Sequence, residues 1–175
     1  MNLLGIARVS FVIALAVVIQ QALLDAIRFG GVHPDLLVLL PVLGGYIAGP
    51  ERGAVFGFTV GLVTDLFLPT PFGLSALVGS LVGFGVGMAT AGLVRNSWWL
   101  PLVVAGGATA GGLVLYAILL SVIGQTQVFT TSLPASLAVV PLSAVVLTLP
   151  AIRLVAWAVP PPTTGQGANA GIGTW

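Results

Sequence analysis

The sequence predicts an all-α integral membrane protein with six transmembrane helices, and its composition and apolar segments support this class. Hydrophobic residues make up 58% of the 175 residues and charged residues only 5%, and the mean hydropathy is +1.17. Soluble domains carry about 25% charged residues, so this chain could not cover its own surface in water. Apolar segments fill most of residues 1–159, which we expect to form a single transmembrane helical domain.

Six apolar segments, separated by short breaks, predict the six helices. A helix needs about 20 residues to cross a bilayer core of about 30 Å. The second and third segments are short for this purpose, so a re-entrant pair is the alternative to two full spans at that place. The segments are Val9–Leu24, Pro34–Gly49, Gly53–Leu68, Phe72–Val94, Trp98–Gly124 and Pro134–Val159.

The breaks between these segments carry residues that start or stop helices. Pro34 suits the first turn of a helix, and Asp35 and Glu51 suit the positive end of a helix dipole. Residues 49–53 (GPERG) predict a tight turn, and two prolines inside the sixth segment predict kinks there. The other breaks are Gly30-Gly31, Pro69-Thr70-Pro71, Arg95-Asn96-Ser97 and Gly124-Gln125-Thr126-Gln127.

The arginines predict the direction of insertion. With six spans, four arginines lie on the side of both termini and only Arg28 lies on the other side, between Asp25 and Asp35. Cytoplasmic loops collect Arg and Lys, so we expect both termini in the cytoplasm and the protein in the inner (cytoplasmic) membrane. Residues 160–175, rich in Pro and Gly, predict a disordered cytoplasmic tail. The four arginines are Arg8, Arg52, Arg95 and Arg153.

Several function classes find little support in the residues. The chain has no cysteine and a net charge of +1, so disulfides, thiol nucleophiles and a broad basic face for nucleic acid are excluded. Its one histidine, His33, precedes a proline and fits a loop better than a metal site. Four acidic residues do not assemble a catalytic set, so we expect no enzyme, no metal and no cofactor.

Glycines four residues apart mark helix faces made for close contact. Such spacing leaves a groove along a helix where another backbone can approach, which is how helices associate in lipid. The groove on the third segment continues into an aspartate, and shorter glycine pairs occur at 45 and 49 and at 107 and 111. Each groove either packs the bundle against itself or receives a partner's helix. The predicted helix-packing or partner-binding residues are Gly53, Gly57, Gly61, Asp65, Gly73, Gly79, Gly83 and Gly87.

Polar side chains within the apolar segments need hydrogen-bond or ion-pair partners. Asp65 lies about 18 Å along the helix axis from Gly53, which places it in the outer half of the predicted membrane. It could form an ion pair, bind a substrate or carry a proton, or it could cap backbone groups near Pro69 and Pro71. Gln20 and Gln21 are expected to hydrogen-bond across helices.

From residue 34 to residue 87 the chain resembles MreD, the family of bacterial rod shape-determining membrane proteins. The matching stretch is PDLLVLLPVLGGYIAGPERGAVFGFTVGLVTDLFLPTPFGLSALVGSLVGFGVG. It has a proline-led second span, a short basic turn and a Gly-rich span that ends in G-L-x-x-D, followed by a glycine and a small-Leu pair. The residues of this pattern are Gly61, Leu62, Asp65, Gly73, Ala76 and Leu77.

The resemblance implies a non-catalytic scaffold of the machinery that elongates the lateral cell wall. It implies as partners the membrane lipid bilayer, MreC, the RodA glycosyltransferase, a class B penicillin-binding protein and, indirectly, MreB filaments. It also implies a fold like that of the substrate-binding subunits (S-components) of energy-coupling-factor transporters. That shared fold makes a substrate-binding transport subunit the alternative function, and a small lipid-modifying enzyme is a third.

Overall fold

The computed structural model describes residues 3–24, 35–67, 71–92, 99–124 and 133–159, and these ranges form six α-helices. The predicted loop around His33, the Arg95–Ser97 break and the tail lie outside the described residues. Helix α1 continues into a π-helical segment, Gln20–Leu24. The helices are α1 Leu3–Ile19, α2 Leu36–Ala48, α3 Pro50–Asp65, α4 Leu74–Thr90, α5 Leu100–Val122 and α6 Leu133–Ala158.

The connection between α2 and α3 is a single residue, much shorter than the turn predicted over residues 49–53. Gly49 adopts a φ of 83°, a left-handed value that favours glycine, and Pro50 follows as the first residue of α3. The proline has no N–H to leave unpaired, so the helix begins three residues before the predicted Gly53. Helix α3 also ends three residues before the predicted Leu68, at Asp65.

Three of the described helices are long and apolar enough to cross a membrane. These segments are Gly5–Ala22, Leu100–Val122 and Val139–Ala158. Helices α2 and α4 are apolar but shorter, and the 13 residues of α2 measure only about 20 Å. The protein is therefore an all-helical membrane protein, while the count of six spans and the direction of insertion stay predictions.

Helix α2 lies at the centre of the bundle. All of its residues except Val38 are buried, and it packs against α3, α4, α5 and α6. A helix that is apolar on every side belongs in the interior of a bundle. Leu39, Val42 and Leu43 are almost completely buried and form the middle of the core.

The outer faces of α5 and α6 are apolar and exposed. Exposed residues recur every three or four positions along each helix, which is the spacing of one helix face. In water such faces would be a liability, but in a bilayer they are the surface that meets the lipid chains. The exposed side chains are Val103, Val114, Ile118 and Val122 on α5, and Leu142, Val146 and Leu149 on α6.

Candidate functional site

Helices α3 and α4 contact each other through facing glycines. A Cβ added to Gly57 would collide with the carbonyl of Gly79, and one added to Gly79 would collide with the carbonyl of Gly57. Gly53 and Gly83 face each other in the same way. We call the residues of this contact the glycine zipper: Gly53, Gly57 and Gly61 of α3, and Gly79, Gly83 and Gly87 of α4.

The zipper keeps one register from end to end. Each step of four residues forward on α3 corresponds to four residues backward on α4, because the two helices are antiparallel. A Cβ on Gly61 would meet the backbone of Ser75, and a Cβ on Gly87 would meet the Gly49-Pro50 junction. The predicted grooves of the third and fourth segments therefore close on each other, and their backbones are too close to admit a partner's helix.

Helix α2 joins the zipper with glycines of its own. A Cβ on Gly45 would collide with the carbonyl of Gly83, and a Cβ on Gly53 would lie 2.5 Å from Cα of Gly45. Three helix backbones thus meet at one level. At the next level the Pro41 ring lies beside the zipper, with its Cβ 3.2 Å from the position a Cβ of Gly57 would take.

Asp65 ends α3 and caps the start of α4. Its Oδ2 accepts the N–H of Gly73 at 2.8 Å and that of Ala76 at 3.3 Å, and its Oδ1 accepts the N–H of Ser75 at 3.0 Å. The first N–H groups of a helix have no partner within the helix, and the positive end of its dipole favours a carboxylate. Asp65 is only 4% exposed, so these backbone N–H groups replace the water that a carboxylate would otherwise bind. These donors lie two to five residues after Pro71.

Gly73 has a conformational role rather than a packing role. Its φ is 97°, and no atom lies within 4 Å of the position its Cβ would take. This left-handed residue turns the chain so that its own N–H and those of Ser75 and Ala76 point towards Asp65. The structure thus brings the predicted residues into two groups: six glycines in the zipper, and Asp65 bonded to Gly73.

The start of α2 is capped in a comparable way. Oδ1 of Asp35 accepts the N–H groups of Leu37 and Val38, at 2.9 and 3.2 Å. Oε1 of the buried Gln20 accepts the N–H of Leu36 at 2.9 Å. The predicted hydrogen bond across helices is therefore confirmed for Gln20, whereas the neighbouring Gln21 is exposed.

The four-residue spacing does not distinguish glycines that pack against another helix from glycines that are exposed. Gly44, which the four-residue pattern misses, lies against the ring of Phe56. Gly107 and Gly111, which match the pattern, are exposed on α5 with no atom within 4 Å of their Cβ positions. The signal that could have identified Gly44 is its position in a helix that is apolar on every side, where any face is buried.

A small cleft lies between α2, α3, α4 and α5. Its volume is about 130 Å³, and Gly61, Gly79 and Gly112 form part of its wall, with Tyr116 also lining it. Binding sites for drug-sized molecules typically measure about 300–1,000 Å³. Within the described ranges no three His, Asp or Glu side chains lie close enough to hold a metal ion.

The fold and this site define a helical membrane protein whose buried carboxylate and glycines serve contacts between its own helices. Residues 3–157 match the family model of the rod shape-determining protein MreD. The chain belongs to the MreD family, which confirms the resemblance drawn from residues 34–87 and supports a role in rod shape determination. No curated protein and no solved structure matches the chain, so the likeness to energy-coupling-factor subunits stays a prediction.

Proposed function

We propose that this protein is a non-catalytic scaffold of the bacterial cell-wall elongation machinery in the inner membrane, supporting lateral peptidoglycan synthesis. Membership of a rod shape-determining family supports the process. The observation that carries the scaffold role is the zipper with its cap: the buried carboxylate of Asp65 is bonded to three backbone N–H groups. A group engaged in this way holds two helices together and is poorly placed to react with a substrate.

The proposed partners are MreC, the RodA glycosyltransferase and a class B penicillin-binding protein, with MreB filaments reached indirectly. Because the zipper is closed, we assign partner contacts to the apolar outer surface of the bundle instead. The exposed faces of α5 and α6 offer such a surface, and helices in lipid associate through packing of this kind.

Co-purification tests the proposal directly. The full chain, expressed with MreC of the same bacterium and solubilised in a mild detergent, is expected to retain MreC through affinity and size-exclusion steps. An unrelated six-helix membrane protein carrying the same tag serves as the control. Depletion of the protein should widen the cells, and normal cell width together with no MreC retention would refute the scaffold role.

The transport alternative gains no support from the structure. A vitamin-sized substrate needs a larger cavity than the cleft of about 130 Å³ between α2 and α5. The family match also points to shape determination rather than transport.

A further inference from the structure

Arg8, Phe11 and Trp157 form an exposed cluster where α1 begins and α6 ends, and Arg153 lies on the same face of α6. The guanidinium carbon of Arg8 lies 5.2 Å from the centre of the Trp157 ring, and Phe11 contacts the same ring edge-on at a centroid distance of 6.2 Å. Arg153 precedes Trp157 by four residues, so it occupies the same face of α6 about one turn, or 6 Å, deeper. We call these four residues the Arg–Trp cluster.

Both arginines of the cluster are exposed, and no acidic side chain in the described part of the chain pairs with them. The structure gives neither Arg8 nor Arg153 an ion pair within the described ranges. The chain has only four acidic residues, and residues 1–24 and 66–175 contain none. Glu51, at the start of α3, lies directly beside Arg52 in the sequence. Among the described residues, no acidic side chain therefore neutralises the positive charge of the cluster.

The cluster lies near two helix ends, where the ends of membrane-spanning helices meet lipid headgroups. Arg8 and Trp157 lie within two turns of the helix ends that meet there, while Arg153 lies on an apolar, exposed stretch of α6. An arginine in such a place extends its guanidinium towards the membrane interface, where tryptophan rings also lie. Guanidinium groups bind phosphate through paired N–H donors, and the cation–π contact with Trp157 holds one of them in place.

We propose that the Arg–Trp cluster is a binding site for the phosphate headgroup of an anionic phospholipid. Arg8 and Arg153 contact the phosphate from two helices, and the rings of Phe11 and Trp157 pack against the glycerol and the first methylenes of the chains. The lipid neutralises the two guanidinium groups and bridges α1 to α6, which pack against each other.

Native mass spectrometry of the delipidated full chain in a non-ionic detergent tests this site. Equal amounts of phosphatidylglycerol and phosphatidylcholine with identical acyl chains are added, and the ratio of the two bound lipids is measured. The wild type is expected to prefer phosphatidylglycerol. Each arginine near an anionic headgroup is worth about fivefold in affinity, so Arg8→Gln with Arg153→Gln should lower the preference by about 25-fold.

Two matched variants separate the site from a general effect of charge. Arg52→Gln removes the same charge from an exposed residue of α3 and should leave the preference unchanged. Arg8→Lys with Arg153→Lys keeps the charge but removes the paired N–H donors, so it should lower the preference for phosphatidylglycerol less than the double glutamine variant does. If the double glutamine variant loses helix content, the two single variants decide, each with an expected loss of about fivefold. Equal binding of both lipids by the wild type, or an equal loss in Arg52→Gln, would overturn the proposal.

Discussion

Gly57 of α3 and Gly79 of α4 face each other so closely that a Cβ on either residue would overlap the carbonyl of the other. The contact is reciprocal and repeats one turn away between Gly53 and Gly83. Since the opposing atoms belong to backbone, no rotation of a side chain can make room. The two helices are therefore held at a separation that only glycine permits.

Gly57→Ala should destabilise the bundle, by about 1–3 kcal/mol, because the added methyl group forces two backbones apart. For a chain of this size the loss corresponds to a melting temperature lower by several degrees. Thermal unfolding of the purified protein in detergent, followed by circular dichroism, measures it. Gly107→Ala is the matched control: its Cβ enters open space, and alanine favours a helix by up to about 1 kcal/mol over glycine. Equal melting temperatures for both variants would contradict a closed zipper.

Asp65→Asn should also lower stability, because the cap uses both carboxylate oxygens. An amide has one oxygen, so at least one of the three N–H groups loses its acceptor and faces an NH₂ group instead. A buried donor left unpaired costs about 1–3 kcal/mol.

Asp35→Asn provides the control for this prediction. Both cap bonds of Asp35 end on Oδ1, and asparagine caps a helix about as well as aspartate. We expect both cap bonds to be kept, and therefore a smaller loss of stability than in Asp65→Asn. Unfolding in a denaturing detergent titration compares the two variants, and an Asp65→Asn protein as stable as Asp35→Asn would show that the cap contributes little.

Gln20→Leu should weaken the junction of α1 and α2, because the N–H of Leu36 would lose the side-chain oxygen that accepts it. The expected cost is about 1–3 kcal/mol. Gln21→Leu changes the neighbouring, exposed residue in the same way and should stay within about 0.5 kcal/mol of the wild type. Hydrogen exchange at the start of α2 distinguishes them: faster exchange at Leu36 is expected in the first variant alone.

The four-residue glycine spacing predicted close helix contacts, but it could not predict which grooves close. The pairs at 53 and 57 and at 107 and 111 look alike in sequence, yet the first lies against α4 and the second faces open space. The difference arises from the order of the helices in the bundle, which depends on all of the apolar faces at once. Local spacing carries no information about that order.

The cap at Asp65 illustrates a second limit of sequence reasoning. An aspartate at the end of an apolar helix predicts a need for hydrogen-bond donors, and capping of nearby backbone N–H groups is one way to meet it. The donors lie eight to eleven residues further on, at Gly73, Ser75 and Ala76. Their position depends on the path of the chain between α3 and α4, and the left-handed Gly73 that directs it could be recognised only as part of a family pattern.

Gly44 lies against the ring of Phe56, so a side chain rather than backbone opposes its missing Cβ. Gly44→Ala should destabilise the bundle by about 1–3 kcal/mol, because the new methyl group overlaps the buried Phe56 ring. Phe56→Leu replaces the ring by a smaller side chain and should relieve the overlap. The double variant is therefore expected to lose less stability than the sum of the two single variants, by about 0.5–3 kcal/mol. Equilibrium unfolding of the four proteins of this cycle measures the coupling.

Gly53→Ala combined with Phe56→Leu serves as the control: the Cβ of residue 53 meets the backbone of Gly45, so the two losses should add. Additive losses in the Gly44 cycle as well would mean that the ring moves away without cost.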